Sequence, residues 1–210
     1  MKDKPRLVVY GAGGHGRVVA DAAEAAGFDV LGFLDDSCSV GSPVLAWQVL
    51  GGADWLNKPP PRYWPSVLVA LGIGANHVRE ELAERFPDRV SAVVHPSAVL
   101  SRHATIAPGA VVLANATVNA GARIGRGAII NTGAIIEHDN VIGPFAHVAS
   151  GVALGGDVHV GAEALIGTGA SVRRGCTIGD RSIVGAGAAV VTDVPPDTTV
   201  VGVPARALRR

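Results

Sequence analysis

Charged side chains are few in this chain. They occupy 17% of 210 positions, and 18 basic and 18 acidic residues cancel to a formal net charge of zero at pH 7. A grip on nucleic acid or on an anionic membrane needs a basic excess, so neither partner is expected. Cysteine is nearly absent too. Cys38 and Cys176 lie far apart and outside any CxxC or His-flanked pattern, which excludes a disulfide framework and predicts reduced thiols in a cytoplasmic protein. Long apolar runs are missing. The opening reaches glycine after the four apolar residues Leu7 to Tyr10, too short for a signal-peptide core, and no stretch approaches the roughly 20 residues of a membrane span. Glycine is plentiful, 28 residues, but it falls in phase with a repeat and forms no low-complexity tract.

That repeat is a six-residue beat. Stepping by six from Val94 to Val190, through Leu100, Ile106, Val112, Val118, Ile124 and onward, every landing is Val, Leu or Ile. Two positions before the beat the residue is usually small, as at Ala98, Ala104, Ala110, Ala116, Ala122, Ala128 and Ala134, and the position after is often glycine. A helix needs apolar residues every three or four positions and a flat strand every second one, so a strict period of six fits neither alone. It fits a parallel β-helix, in which each hexad forms one short side of a prism and three hexads close a coil. Stacked coils bury an aliphatic column that no single repeat could bury.

The first 90 residues lack the beat and form a separate domain, leaving 91–210 for the β-helix. Leu7–Tyr10 reads as a strand, followed by the glycine turn Gly11-Ala12-Gly13-Gly14-His15-Gly16 and a helix from Arg17 to Ala26 that Gly27 ends. A second strand, Val30 to Leu34, runs into Asp35 and Asp36. A section rich in loop residues then holds Trp47, Trp55 and the Pro59-Pro60-Pro61 run, before a third strand at Val67–Leu71 and a helix over Asn76–Phe86. This is the opening βαβ of a nucleotide-binding fold. Gly11, Gly13 and Gly16 satisfy G-x-G-x-x-G, where backbone N–H groups at a helix start approach phosphate closely. With about three strands the unit is half of a dinucleotide fold, so a nucleoside diphosphate suits it better than NAD.

Within the β-helix, His138 interrupts the monotony, in the run Ile135-Ile136-Glu137-His138-Asp139-Asn140. Ile136 is on the beat, which turns Glu137 outward and brings His138 to a corner. An imidazole flanked by carboxylates has the near-neutral pKa and the tautomer-fixing neighbour that a general base needs. A solvated corner histidine is the alternative, and His147 is a second candidate. A metal site is not expected, because no two of His95, His103, His138, His147 and His159 are five apart and neither Glu nor Cys completes a ligand set. Cys176, two before a beat, reads as packing. No Ser or Cys nucleophile stands out beside a base.

The glycine turn, the strand end Phe33-Leu34-Asp35-Asp36, the run Ile136-Glu137-His138-Asp139 and the terminal Asp193-Val194-Pro195-Pro196 and Gly202-Val203-Pro204-Ala205 together resemble the sialic acid O-acetyltransferase-type family of bacterial sugar acyltransferases. One branch of that family N-acetylates nucleotide-linked 4-amino-4,6-dideoxysugars. The resemblance spans essentially the whole chain. It implies an α/β N-terminal domain followed by a left-handed β-helix, a homotrimer with sites between subunits, acetyl-CoA as co-substrate, no metal, and a nucleotide-linked aminosugar held by the N-terminal domain. It also implies His138 as catalytic base beside Asp139, with Glu137 as the rival partner of the ring. Gly13, His15, Asp35, Asp36 and Asn131 would bind the nucleotide sugar, and His147 and Gly156 acetyl-CoA, with the Gly156 N–H polarising the acetyl carbonyl. The hexads carry no long insertion to cover an acceptor, which shifts acceptor recognition to the N-terminal domain. Sugar O-acetylation and a non-catalytic binding role are the competing functions.

Overall fold

The computed structural model describes residues 4–57 and 67–208. The chain opens with β1 (Arg6–Tyr10), α1 (Gly14–Ala25) and β2 (Asp29–Leu34), then β3 (Pro43–Val44), β4 (Trp47–Gly51), a 3-10 turn at Ala53–Leu56, β5 (Leu68–Leu71) and α2 (Asn76–Arg85). These strands form one sheet in the order β3-β4-β2-β1-β5, parallel except for the β3–β4 hairpin. Three expectations from sequence are corrected here. The helix starts at Gly14, inside the glycine turn, and not at Arg17. The second helix ends at Arg85, one residue short of Phe86. The sheet has five strands, because the section around Trp47 is no loop: Val49 is buried, and the Trp47 ring packs edge-on against Phe33 at 6.2 Å. The Pro59-Pro60-Pro61 run lies outside the described residues.

From Val93 onward each hexad yields a two-residue strand ending on the beat residue. Strands pair in parallel with those 18 residues away, as Thr117↔Ile135 and Ile135↔Ala153, so three hexads make one coil. The result is three parallel sheets around one aliphatic column. Beat residues from Val112 to Val190 are buried, while Val94, Leu100 and Ile106 in the first coil are only partly so, having no coil beneath them. The tail residues Thr199–Val201 continue one sheet and Arg206–Ala207 close its edge antiparallel.

A second periodic feature fixes the corners. Every sixth residue from Gly109 to Gly187 has positive φ, each three positions after a beat. Glycine or asparagine takes this left-handed conformation at least cost. Asp139, at φ 60°, is among the exceptions.

The N-terminal domain packs against one face of the β-helix. Leu7, Val9 and Val19 share an apolar cluster with Val93, Val111 and Leu113, and on the other side of the sheet Val8, Leu71 and Ala83 pack with Phe145. Between the two domains sits Arg79 of α2, fully buried. Its Nε donates to the Gly127 carbonyl at 2.7 Å and Nη2 to the Phe145 carbonyl at 2.5 Å, both on the β-helix. Nη1 donates to the Ile73 and Gly74 carbonyls at 3.0 and 3.2 Å, and Nη2 also reaches Asn76 Oδ1 at 2.9 Å. Burial lowers its pKa to about 10, partly opposed by Glu163, and it stays charged at neutral pH. Arg79→Met should therefore lower stability by on the order of 3 kcal/mol, since it leaves buried carbonyls on both domains without donors. Chemical denaturation reads this directly, and a loss below about 0.5 kcal/mol would contradict it.

Candidate active site

The glycine turn makes the first part of the site. Gly11 has φ +104°, and a Cβ at Gly16 would collide with the Gly11 carbonyl, so strand and helix meet as closely as they do only with glycine at both positions. Helix α1 starts at Gly14 with no side-chain cap from Gly13, which leaves its first N–H groups and the positive end of its dipole open to an anion. They face a cavity of about 680 Å³, with Gly13, His15, Asp35 and Asp36 in its wall beside Ile73 and Leu82. Four of the sequence-predicted residues thus line one cavity.

The two aspartates are held in place by the protein itself. Asp35 accepts from the Ala12 N–H at 2.9 Å and from the Ser37 N–H and hydroxyl at 2.8 and 2.6 Å. Burial pushes its carboxyl up, but these bonds outweigh burial and hold it below the usual range. Asp36 accepts from the Ala53 N–H at 2.9 Å and from the Tyr10 hydroxyl. Burial and that bond raise the Tyr10 pKa well above its ordinary value.

His15 reaches from α1 toward the β-helix, where its ring lies 6.1 Å from that of His147. The Asn131 Oδ1 accepts from the Thr132 N–H at 2.8 Å, so Asn131 Nδ2 is left to donate to His147 Nε2 at 3.2 Å. His147 Nε2 is thereby an acceptor, and its proton belongs on Nδ1. His15 Nε2 is buried with no hydrogen-bond partner among the described residues. Burial first, then the Arg79 charge, lowers both imidazoles to about 4, with His15 itself adding to the effect on His147.

His138 stands at the next corner, past the strand Ile135–Ile136. Its Nδ1 lies 2.9 Å from Asp139 Oδ2, while among the described residues the Glu137 carboxylate accepts only from the His138 backbone N–H, at 3.4 Å. The other ring edge faces Gly156, one coil on, where a Cβ would clash with Nε2. Among the described residues the Gly156 N–H has no hydrogen-bond partner, while its carbonyl accepts from Gly175. Imidazole, carboxylate and free N–H therefore converge at one exposed corner, whereas His15, Asn131 and His147 meet on a neighbouring face. No hydrogen bond or ring contact among the described residues joins the two groups within one chain.

Sequence reasoning missed Arg79, Tyr10 and Asn140. An arginine in a polar helix carries no signal of burial, and Tyr10 reads as one more apolar strand residue. Asn140 did carry one, since it stands where the repeat usually has alanine. No three His, Cys, Asp or Glu side chains converge as a metal site among the described residues, and no described helix is long and apolar enough to cross a membrane.

The histidine pair generates a prediction. Both folded pKa values lie near 4, below the ordinary 6.5, so between these limits the unfolded chain binds more protons. Their contribution is fully present above about pH 6.5 and is lost as pH falls toward about 4, on the order of 3 kcal/mol per imidazole if each titrates alone. In a pH series of urea denaturation, His147→Gln should flatten this acid slope, and slopes parallel to wild type would contradict the assignment.

Residues 6–86 match the PglD N-terminal domain and residues 157–191 the bacterial transferase hexapeptide model of six repeats. The acetyltransferase domain of PglB from Neisseria gonorrhoeae FA1090, solved in complex with acetyl coenzyme A, is 36% identical. It superposes with a TM-score of 0.91 over 98% of this chain and 100% of that one. PerB from Caulobacter crescentus, solved with CoA and GDP-perosamine, is also 36% identical, with a TM-score of 0.90 over 97% of each chain. The curated UDP-N-acetylbacillosamine N-acetyltransferase of Bacillus subtilis (strain 168) is 40% identical over 110 residues, which span 48% of this chain and 47%, about half, of that relative. Likeness to PglB and PerB over nearly the whole chain, in sequence and in structure, means that this protein belongs to their family of hexapeptide-repeat acyltransferases with a PglD-type N-terminal domain.

Proposed function

We propose that the chain transfers the acetyl group of acetyl-CoA to the 4-amino group of a nucleotide-linked 4-amino-4,6-dideoxysugar. The observation that carries this reading is the His138 ring, bonded through Nδ1 to Asp139 and abutting Gly156 with its other edge. With the Nδ1 proton donated to Asp139 Oδ2, Nε2 is free to act as a base. The sugar amine attacks the thioester carbonyl carbon while His138 Nε2 takes the amine proton. The Gly156 N–H stabilises the developing oxyanion. Collapse of the tetrahedral adduct breaks the carbon–sulfur bond, and the imidazolium returns its proton to the departing CoA thiolate. Transfer is direct, with no acyl-enzyme.

Gly13, His15, Asp35 and Asp36 form the nucleotide end, the diphosphate lying at the open start of α1. Asn131 holds the sugar, and His147, a neutral acceptor-bearing imidazole, lies beside the acetyl donor. Asp35 and Asp36 already bind backbone N–H groups, so they act on the nucleotide through the oxygen valences left over. The complexes of PglB with acetyl coenzyme A and of PerB with CoA and GDP-perosamine support these ligand classes. A homotrimer is part of the proposal: the outer face formed by Val99, Thr117, Ile135, Ala153, Ser171 and Ala189 carries no charge and ends at the His138 corner.

His138→Asn should lower kcat by roughly 10²- to 10⁴-fold without changing the melting temperature. Asp139→Asn tolerates the left-handed backbone at this corner and should lower kcat less, whereas Glu137→Gln should stay near wild type. A steady-state series with acetyl-CoA and a nucleotide aminosugar checks all three. Near-normal kcat in His138→Asn would remove the general base from the mechanism.

A further inference from the structure

The corners of the β-helix share one hydrogen bond. The residue two before each beat donates its N–H to the carbonyl three positions back, as Ala128 to Gly125, Ala134 to Asn131, Ala146 to Gly143 and Ala164 to Gly161. From Ala98 to Ala188 this bond fails at two corners among the described residues, Asn140 and Val158. One side chain accounts for both failures. Asn140 Nδ2 donates to the Glu137 carbonyl at 2.8 Å, in place of its own N–H, and Asn140 Oδ1 accepts the Val158 N–H at 2.7 Å, in place of the Gly155 carbonyl.

The two rewired turns are residues 137–140 and 155–158, which carry His138 and Gly156. Asn140 is fully buried, and most equivalent corners hold alanine. A buried amide is costly unless its polar atoms are bonded, and here donor and acceptor are both used. A third bond, Asp157 N–H to the His138 carbonyl at 2.9 Å, joins the same two turns. The side chain thus links the turn bearing the imidazole to the turn bearing the free N–H.

We propose that Asn140 is a positioning residue, one whose amide locks the His138 turn and the Gly156 turn into a single register so that base and oxyanion donor address the same reacting carbon. Asn140 touches no reacting atom. It acts by opening both turns from their ordinary form, and the distance between base and donor follows from that opening. The inference rests on the transfer reading for its kinetic consequence, but its structural content stands on the hydrogen bonds alone.

The test exploits the repeat. Asn140→Ala installs the residue that most other corners carry, so the coil should still form and the melting temperature should stay within a few degrees of wild type. Both turns then revert to the ordinary bond. Because misplacing reacting groups by about 1 Å costs up to 10²-fold, kcat should fall about 10- to 100-fold, with KM for acetyl-CoA within about twofold of wild type. Asn140→Ser should recover part of the loss, since Ser182 at an equivalent corner already donates its hydroxyl to the Gly179 carbonyl three positions back, at 2.6 Å.

Nitrogen-15 imidazole spectra of His138 and amide exchange at Val158 supply a readout independent of turnover. In Asn140→Ala both should change, while the His147 signals stay fixed. Unchanged spectra and exchange, or kcat within twofold of wild type, would overturn the positioning role. If wild type itself turned over no nucleotide aminosugar, the transfer reading would fall, and the spectra would still decide whether Asn140 sets the two turns.

Discussion

One buried guanidinium joins the halves of this protein. Among the described residues Arg79 bonds to no carboxylate; instead its donors are shared between carbonyls of the N-terminal domain and carbonyls of two β-helix corners stacked one coil apart. Carbonyl groups do not neutralise a charge, so such a site is favourable only if every donor is used, and five bonds use them. The geometry that satisfies Arg79 also docks α2 on the coil. Its charge adds to burial, the larger cause, in lowering the pKa of both imidazoles. Domain docking and, after burial, the protonation state of the histidine pair therefore share one contributor.

The β-helix supplies rigidity of a different kind. Each hexad has one inward aliphatic residue and one left-handed corner, so the backbone that carries a corner side chain is fixed by the stack. His138 and Asp139 are adjacent at such a corner, and the positive φ of Asp139 belongs to the coil before it belongs to the site. A carboxylate held there meets the ring at 2.9 Å without help from a loop. Gly156 follows one coil later, where any Cβ would displace the imidazole. The site is therefore built from repeat positions whose residues were exchanged, with the repeat itself left unbroken.

Much of this architecture was legible in the amino-acid sequence, because a period of six with inward Val, Leu or Ile has one geometric solution. The βαβ opening was equally plain from Gly11, Gly13, Gly16 and the acidic pair. The β3–β4 hairpin was hidden by short strands among turn residues, with Trp47 giving no periodicity. The left-handed series from Gly109 to Gly187 was readable at its glycines and obscured at Phe145, Glu163 and Arg181, which adopt the same conformation against their preference. Choosing between Glu137 and Asp139 required coordinates, since both flank His138 in sequence and only the corner conformation turns one of them toward Nδ1. Asn140 was visible as a break in the alanine series, but its meaning depends on contacts 18 residues apart.

The most direct test of the account is release of free CoA thiol by the purified protein from acetyl-CoA, with UDP- and GDP-linked 4-amino-4,6-dideoxysugars and free sialic acid as acceptors and the product masses determined. The account predicts turnover with a nucleotide-linked aminosugar and a product heavier by one acetyl group on nitrogen. Turnover with sialic acid alone would contradict it in favour of O-acetylation, and silence with every acceptor would contradict catalysis itself.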